Sequence, residues 1–251
     1  MSKCDVDQDL QGLGPQLPPD QRAMLDDHGY AVLTDVLSEA ECDLLSREAD
    51  EIWERERLAG QKFVTEPGVR FTSNILSRSV VFQKCMSDPR VLAGVRAVLG
   101  PAIRLSLMHS RRADTGCGNQ PLHDLSRRRG RPFLKCNTTW CLDEFTLVNG
   151  ATRVLPGSHL AEDVFLARCE DPALPHPDEC RVTASRGAVV IMNSHLIHGG
   201  STNVSDAPRR CIHSAFGLAS EPTVCDWTQL PSEIRAGLDP DNLELLGLGP
   251  G

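Results

Sequence analysis

The sequence predicts a mainly β protein with helices in its N-terminal third. Before Pro101 the chain shows helix caps and apolar residues at helical spacing. After Pro101 it shows short runs rich in β-formers, separated by Gly, Pro, Asn and Asp, with no helical pattern between them. These runs are 102–110, 132–142, 151–155, 187–192 and 209–218. Strands at this spacing are typical of an antiparallel sandwich or barrel.

Three helices are predicted from the signals at their ends. The first spans 19–28, and a short strand over 30–37 follows it. Ser38 and Glu41 form a capping-box pattern that begins the second helix. Asp88 is the expected cap of the third helix, because a proline follows it as the first helical residue. The second helix is expected to turn Leu44, Leu45, Ala49, Ile52 and Trp53 toward the core.

A chain of 251 residues suits a single domain of this kind. We expect a flexible N-terminus over 1–17 and one domain over 18–235. Within that domain, residues 18–100 are predicted helical and residues 101–218 form the β core. Residues 236–251 are expected to form a C-terminal tail.

The composition argues against several classes of partner. A net charge of −8 and an aromatic content of 4% are poorly suited to nucleic acid, and no apolar run is long enough to span a membrane. The ten cysteines are scattered and contain no CxxC motif. Because the first residues also lack the apolar centre of a secretory signal, we expect reduced thiols and a cytoplasmic location.

Two of the eight histidines stand apart by their surroundings. His123 lies beside Asp124, and His198 follows an apolar strand, eleven residues before Arg209. Two histidines and a carboxylate can bind one face of a non-haem Fe(II), and an arginine can hold a carboxylate co-substrate. The same His-Asp dipeptide could instead be a hydrogen-bonded pair in the core. The spacing alone therefore leaves the metal site and the core pair both open. The local sequence predicts ordinary surface or core roles for four other histidines, His28, His109, His159 and His176.

Three segments resemble the phytanoyl-CoA dioxygenase family. Residues 143–159, DEFTLVNGATRVLPGSH, contain an acidic–aromatic turn, Asn-Gly-Ala and then Pro-Gly-Ser-His. Residues 187–210, GAVVIMNSHLIHGGSTNVSDAPRR, resemble the family's later block, and HGYAVLTDVLSEAE (28–41) resembles its N-terminal opening. The resemblance covers about residues 18–218. It implies a double-stranded β-helix, the jelly roll of cupin-like proteins, holding Fe(II) and 2-oxoglutarate.

The resemblance also implies roles for individual residues. His123 and His198 match the two iron-binding histidines, and Arg209 matches the residue that binds the far carboxylate of 2-oxoglutarate. The family places its acidic ligand two residues after the first histidine, but that position is Leu125 here and Asp124 is adjacent to His123. On a regular strand neighbouring side chains face opposite sides. Either a bulge brings Asp124 to the metal, or two histidines hold iron, or the site is degenerate.

The resemblance implies an enzyme that uses O₂ to oxidise a C–H bond of a small-molecule biosynthetic intermediate. Hydroxylation is the first expectation. Cyclisation, epimerisation or desaturation at the same iron, and a non-catalytic member of the family, are the alternatives. Halogenation is disfavoured, because Leu125 is too large and apolar to make room for chloride.

Further residues are predicted around the cofactors and the substrate. Asn137, Thr139 and Trp140 are candidates for contact with 2-oxoglutarate. Cys211 and His213 share the strand face of Arg209 by alternation, so they are expected to line the pocket unless they are core residues. Arginines flank His123 at Arg111, Arg112, Arg127, Arg128, Arg129 and Arg131. Because arginine binds phosphate and carboxylate in bidentate pairs, we expect Arg127, Arg128 and Arg129 to bind an anionic substrate, unless they form a solvated surface.

Overall fold

The structure, a computed structural model, describes residues 15–61, 66–123, 132–160 and 171–249. Six helices lie in these ranges: α1 (Pro19–His28), α2 (Glu39–Leu58), α3 (Lys84–Ser87), α4 (Pro89–Leu99), α5 (Ser232–Ala236) and α6 (Pro240–Leu245). Short 3₁₀ turns cover Ile75–Ser77, Val80–Gln83 and Trp227–Gln229. Residues 1–14 lie outside the described ranges, so the expected flexible N-terminus stays a prediction.

The predicted helix caps are present. The Ser38 hydroxyl accepts the amide of Glu41, and the Glu41 carboxylate accepts the amide of Ser38 at 2.8 Å, which completes the capping box of α2. The Asp88 carboxylate accepts the amides of Arg90 and Val91 at the start of α4. These caps pair backbone donors that a helix leaves unbonded at its N-terminus.

The buried stripe of α2 differs from the expected one. Its buried residues are Cys42, Leu45, Ala49 and Ile52, whereas Leu44 is 39% exposed. Trp53 lies at the edge of the stripe, where the guanidinium of Arg70 covers its ring at 4.6 Å. Leu44 lies about 100° around the helix from Leu45 and faces solvent, so the expected stripe was too wide on that side, and it omitted Cys42.

Nine strands form two antiparallel sheets in the described residues. They are β1 (Tyr30–Leu33), β2 (Val69–Ser73), β3 (Ile103–Ala113), β4 (Lys135–Cys141), β5 (Thr152–Val154), β6 (Cys180–Val182), β7 (Val189–Asn193), β8 (His198–Gly200) and β9 (Arg209–Leu218). The larger sheet has the order β1-β7-β4-β9-β3-β2, and the smaller has the order β6-β5-β8. The fold is the double-stranded β-helix expected from the sequence.

Alternation along the strands assigns each face of the larger sheet. Val189 and Ile191 of β7 pack in one apolar cluster with residues of α2 and α4, while Val190 and Met192 pack with Val154 of the smaller sheet. The helices therefore cover the outer face of the larger sheet, and the two sheets enclose the inner face between them.

Two expected boundaries need correction. The segment 18–100 is not purely helical, because β1 pairs with β7 and β2 pairs with β3 as strands of the larger sheet. The segment 236–251 contains α6, and Leu238, Leu245 and Leu246 are buried in the main core. Their burial against the rest of the chain is a tertiary effect that local composition does not reveal. No helix among the described residues combines the length and apolarity needed to cross a membrane.

Candidate metal and 2-oxoglutarate site

The two histidines singled out in the sequence face each other across an isolated antiparallel bridge. The amide of His123 donates to the carbonyl of His198, the amide of His198 donates to the carbonyl of His123, and both distances are 2.8 Å. The two imidazole rings lie 4.6 Å apart between centroids. Residues 75 positions apart in the sequence are thereby held side by side by backbone hydrogen bonds rather than by flexible side chains.

A backbone carbonyl sets the tautomer of each ring. His123 Nδ1 lies 2.8 Å from the carbonyl of Pro121, and His198 Nδ1 lies 2.8 Å from the carbonyl of Leu196. Because a carbonyl only accepts, Nδ1 of each ring carries the proton in this arrangement, and Nε2 carries the lone pair with which a histidine can bind a metal. This backbone support is typical of histidines that ligate metals.

The glycines after His198 allow this close approach. A Cβ at Gly199 would come within 2.7 Å of the carbonyl oxygen of Gln120, and one at Gly200 within 2.4 Å of that of Gly118. The segment that leads to His123 therefore packs directly on the backbone of β8. The His-Gly-Gly sequence is what lets the two histidines share one site.

Both histidines line a cavity of about 160 Å³ between the two sheets. Arg209 also lines this cavity and is 3% exposed. Its guanidinium lies 4.4 Å from the ring centre of Phe145, and its Nη1 contacts the thiol of Cys211 at 3.9 Å. Its Nε has no hydrogen-bond partner, and it forms no ion pair within the described part of the chain. Burial lowers the pKa of Arg209 from its ordinary value.

Burial of a guanidinium without a counter-ion costs free energy, unless an anion binds beside it. The donor set therefore fits the two groups implied by the sequence: two imidazole nitrogens for Fe(II), and an arginine without a carboxylate partner among the described residues for the far carboxylate of 2-oxoglutarate.

The other candidates for contact with 2-oxoglutarate all belong to β4, but they lie on opposite faces of this strand. Asn137 and Thr139 line the cavity, and the Asn137 side-chain oxygen has no partner among the described residues. Trp140 points to the opposite face, where it is fully buried in the core under the helices and its Nε1 donates to Thr138 Oγ1 at 3.1 Å. Trp140 does not line the cavity, so its assignment to 2-oxoglutarate is corrected. Alternation on the strand separates it from its neighbour Thr139.

Cys211 and His213 share the face of Arg209, as predicted from alternation. His213 lines the cavity, and its two ring nitrogens lie 3.0 Å from Thr139 Oγ1 and 3.3 Å from Cys211 Sγ. Burial, followed by the nearby His109, lowers the pKa of His213 well below its ordinary value. Cys211 is not among the residues that line this cavity, so its predicted place in the lining is corrected, and burial raises its pKa. The neutral His213 ring therefore lies in contact with both Thr139 and Cys211, and Cys211 in turn contacts Arg209.

The structure adds cavity residues that the sequence reasoning missed. His109 of β3 and Phe71 of β2 line the cavity, and so do Glu66 and Gln120. Arg111 of β3, expected only to flank His123, lines it as well. Alternation along β3 was the available signal, since His109, Arg111 and Ala113 share a face. Arg112 is different from Arg111: it points outward and pairs with Asp50 and Asp114, both at 2.8 Å.

Several predicted site residues lie outside the described ranges: Asp124, Arg127, Arg128, Arg129 and Arg131. The proposed third iron ligand and the proposed arginine contacts to substrate therefore stay predictions. Within the described part of the chain, no group of three His, Cys, Asp or Glu side chains is placed to hold a metal ion. Asp124 remains the candidate that would complete the pair of histidines.

Comparisons with known proteins identify the family of the chain. The model of the phytanoyl-CoA dioxygenase (PhyH) family matches residues 25–211. The dioxygenase af480 of Aspergillus fumigatus is 28% identical over 244 residues, covering 91% of this chain and 76% of that protein.

Two solved structures share the fold. HygX from Streptomyces hygroscopicus, solved with nickel and 2-oxoglutarate bound, superposes with a TM-score of 0.68 at 20% identity, covering 87% of this chain and 94% of its own. The epimerase SnoN from nogalamycin biosynthesis superposes with a TM-score of 0.64 at 18% identity, covering 80% and 82%. The family match spans β1, the Pro-Gly-Ser-His block, both histidines and Arg209. The chain therefore belongs to the phytanoyl-CoA dioxygenase family of Fe(II)- and 2-oxoglutarate-dependent oxygenases.

Proposed function

We propose that His123, His198 and Asp124 hold Fe(II) in this chain, and that Arg209, Asn137 and Thr139 hold 2-oxoglutarate. The enzyme would then use O₂ to oxidise a C–H bond of a small-molecule biosynthetic intermediate. The observation that carries the proposal is the shared cavity of two histidines, each with Nδ1 against a backbone carbonyl, and one buried arginine without a carboxylate partner among the described residues.

Fe(II), when bound with 2-oxoglutarate, supplies the activation of O₂ that is coupled to decarboxylation of the keto acid to succinate. The residues of the chain supply placement. Arg209 would hold one end of the co-substrate, with its guanidinium positioned by contacts with the Phe145 ring and the Cys211 thiol. The Thr139 hydroxyl lies against the neutral His213 ring, which orients it within the cavity. Burial of these groups keeps bulk water away from the co-substrate.

The outcome at the substrate carbon has a second candidate. SnoN is named an epimerase and SnoK a carbocyclase, and both share this fold with TM-scores of 0.64. At 18% and 19% identity the likeness extends to the fold alone. Hydroxylation and a redox-neutral or ring-forming outcome use the same placement of iron and 2-oxoglutarate, so product analysis distinguishes them.

The test begins with binding and continues to turnover. Addition of Fe(II) and 2-oxoglutarate without oxygen should produce a weak visible charge-transfer band, and admission of O₂ should release succinate. A panel of candidate substrates should then raise the rate of succinate release, and mass spectrometry of the stimulating substrate should separate a gain of one oxygen from an isomer or a loss of two hydrogens. A protein that binds 2-oxoglutarate with no iron-dependent band would contradict the proposed site.

A further inference from the structure

One wall of the cavity is not used by the iron and 2-oxoglutarate assignment. It consists of Phe71 from β2, His109 and Arg111 from β3, and Glu66 and Gln120. The assigned groups come instead from β4, β8, β9 and the bridge at His123. The residues of this wall therefore have no role in the proposed function.

Arg111 is the charged group of this wall and is 5% exposed. Its Nη2 donates to Glu66 Oε2 at 2.5 Å and to the carbonyl of Gly118 at 3.1 Å. Its Nε is buried, and neither Nε nor Nη1 donates a hydrogen bond to any of the described residues. Only one of the three guanidinium nitrogens is therefore engaged, on a side chain whose planar fork suits two-point contact with a carboxylate.

Glu66 supplies the carboxylate that now faces Arg111. Its other oxygen accepts from Gln120 Nε2 at 2.8 Å. The Glu66 side chain is 37% exposed, whereas that of Arg111 is 5% exposed. An exposed carboxylate can return to water at low cost, but a buried guanidinium needs a negative partner. The pair therefore presents a site where a substrate carboxylate can take the place of Glu66.

The rest of the wall is flat and uncharged. The rings of Phe71 and His109 lie 4.6 Å apart, and those of His109 and His213 lie 4.9 Å apart, both in tilted stacks. Burial, followed by the charge of Arg111, lowers the pKa of His109 to about 3, so the ring is neutral near pH 7. A row of uncharged rings beside a guanidinium suits a flat unsaturated group that carries the carboxylate.

We propose that Arg111, with Phe71 and His109, is the substrate-recognition wall and selects a carboxylate attached to a flat unsaturated ring. This inference rests on the proposed function, because it takes Arg209 to be occupied by 2-oxoglutarate. Arg111 is then the second buried guanidinium of the cavity, and its negative partner is the carboxylate of the substrate.

Benzoate and benzylamine are the probes, since they share a ring and differ in the sign of their charge. Each is titrated calorimetrically into protein loaded anaerobically with Fe(II) and 2-oxoglutarate. We expect benzoate to bind and benzylamine to bind at least about tenfold more weakly, as one charge-assisted pair is made or lost. Arg111→Gln should weaken benzoate at least about tenfold and change 2-oxoglutarate affinity less than about twofold, whereas Arg209→Gln should weaken 2-oxoglutarate.

Glu66→Gln gives a test of opposite sign that does not depend on the folding of the Arg111 variant. It removes the competing carboxylate, so benzoate should bind several-fold more tightly. Tighter binding of benzylamine than of benzoate would identify Glu66 as the recognition group and overturn the proposal. So would a wild-type protein that fails to bind benzoate, or an Arg111→Gln variant that loses 2-oxoglutarate as Arg209→Gln does.

The same titrations separate this inference from the proposed function. Absence of the charge-transfer band in wild-type protein contradicts the iron and 2-oxoglutarate assignment. Benzoate binding to metal-free protein that carries Arg209→Gln, compared with and without Arg111→Gln or Glu66→Gln, still measures the Arg111 wall.

Discussion

His123 and His198 are joined by two backbone hydrogen bonds of 2.8 Å, so the backbones that carry their rings cannot separate without breaking this bridge. One histidine follows the loop after β3 and the other begins β8. The backbone therefore preorganises the proposed metal site, and the Nδ1 contact of each ring orients its Nε2.

Removal of either histidine should abolish tight Fe(II) binding. His198→Ala and His123→Ala each leave a single imidazole of the pair, which holds Fe(II) poorly. Equilibrium dialysis with anaerobic Fe(II) measures the effect. His28→Ala is the matched control, because that ring lies on the exposed end of α1, and it should bind iron as wild type does. Retention of wild-type iron affinity in His198→Ala would rule out this site.

Replacement of Arg209 should spare iron and weaken the co-substrate. Arg209→Gln removes a buried charge-assisted pair, which is worth about 1.5–3 kcal/mol, or roughly ten- to a hundredfold in the Kd of 2-oxoglutarate. Titration of the charge-transfer band gives this Kd. The control is Arg210→Gln, since Arg210 faces outward and pairs with Asp50 and Asp143. Equal affinities for 2-oxoglutarate in the two variants would contradict the assignment of Arg209.

Asp124 should contribute to the metal despite its shift by one position from the family pattern. Asp124→Ala is expected to lower the affinity for Fe(II), because two imidazoles without a carboxylate make a weaker site. Leu125→Ala serves as the neighbouring control and should retain iron. If Asp124→Ala binds iron normally, the third position is not filled by this carboxylate, and Leu125→Asp becomes the variant to examine for tighter binding.

The buried His109 should make the folded protein sensitive to acid. Its pKa is lowered from 6.5 to about 3 by burial, so below pH 6.5 the unfolded chain binds a proton that the folded chain does not. The free energy of unfolding should therefore fall by about 1.4 kcal/mol per pH unit as the pH drops from about 6 toward 4.

Denaturant titrations at pH 6.5 and 4.5 measure this loss for wild type and His109→Gln in metal-free protein. Because other groups also titrate in this range, the informative quantity is the difference between the two proteins, which should shrink as the pH falls. A difference that stays constant between the two pH values would show that His109 is protonated in the folded protein.

The sequence alone was informative wherever a local rule decides the structure. The caps at Ser38 and Asp88 depend on side chains within three residues of each other, so their pattern is readable directly. The family motifs likewise identified His123, His198 and Arg209 as a set, and the structure places all three in one cavity. Strand alternation correctly put His213 on the face of Arg209.

Only the tertiary structure decided which face of each strand is the inner one. Alternation ties Asn137 to Thr139 and separates both from Trp140, but it does not say which set meets the cavity until β4 is packed against the helices. The same holds for His109 and Arg111, whose role depends on β3 lying beside β9 and on Glu66 reaching them from a distant segment. Pairing between distant strands and burial of charge are properties of the assembled sheets, and no local stretch of sequence contains them.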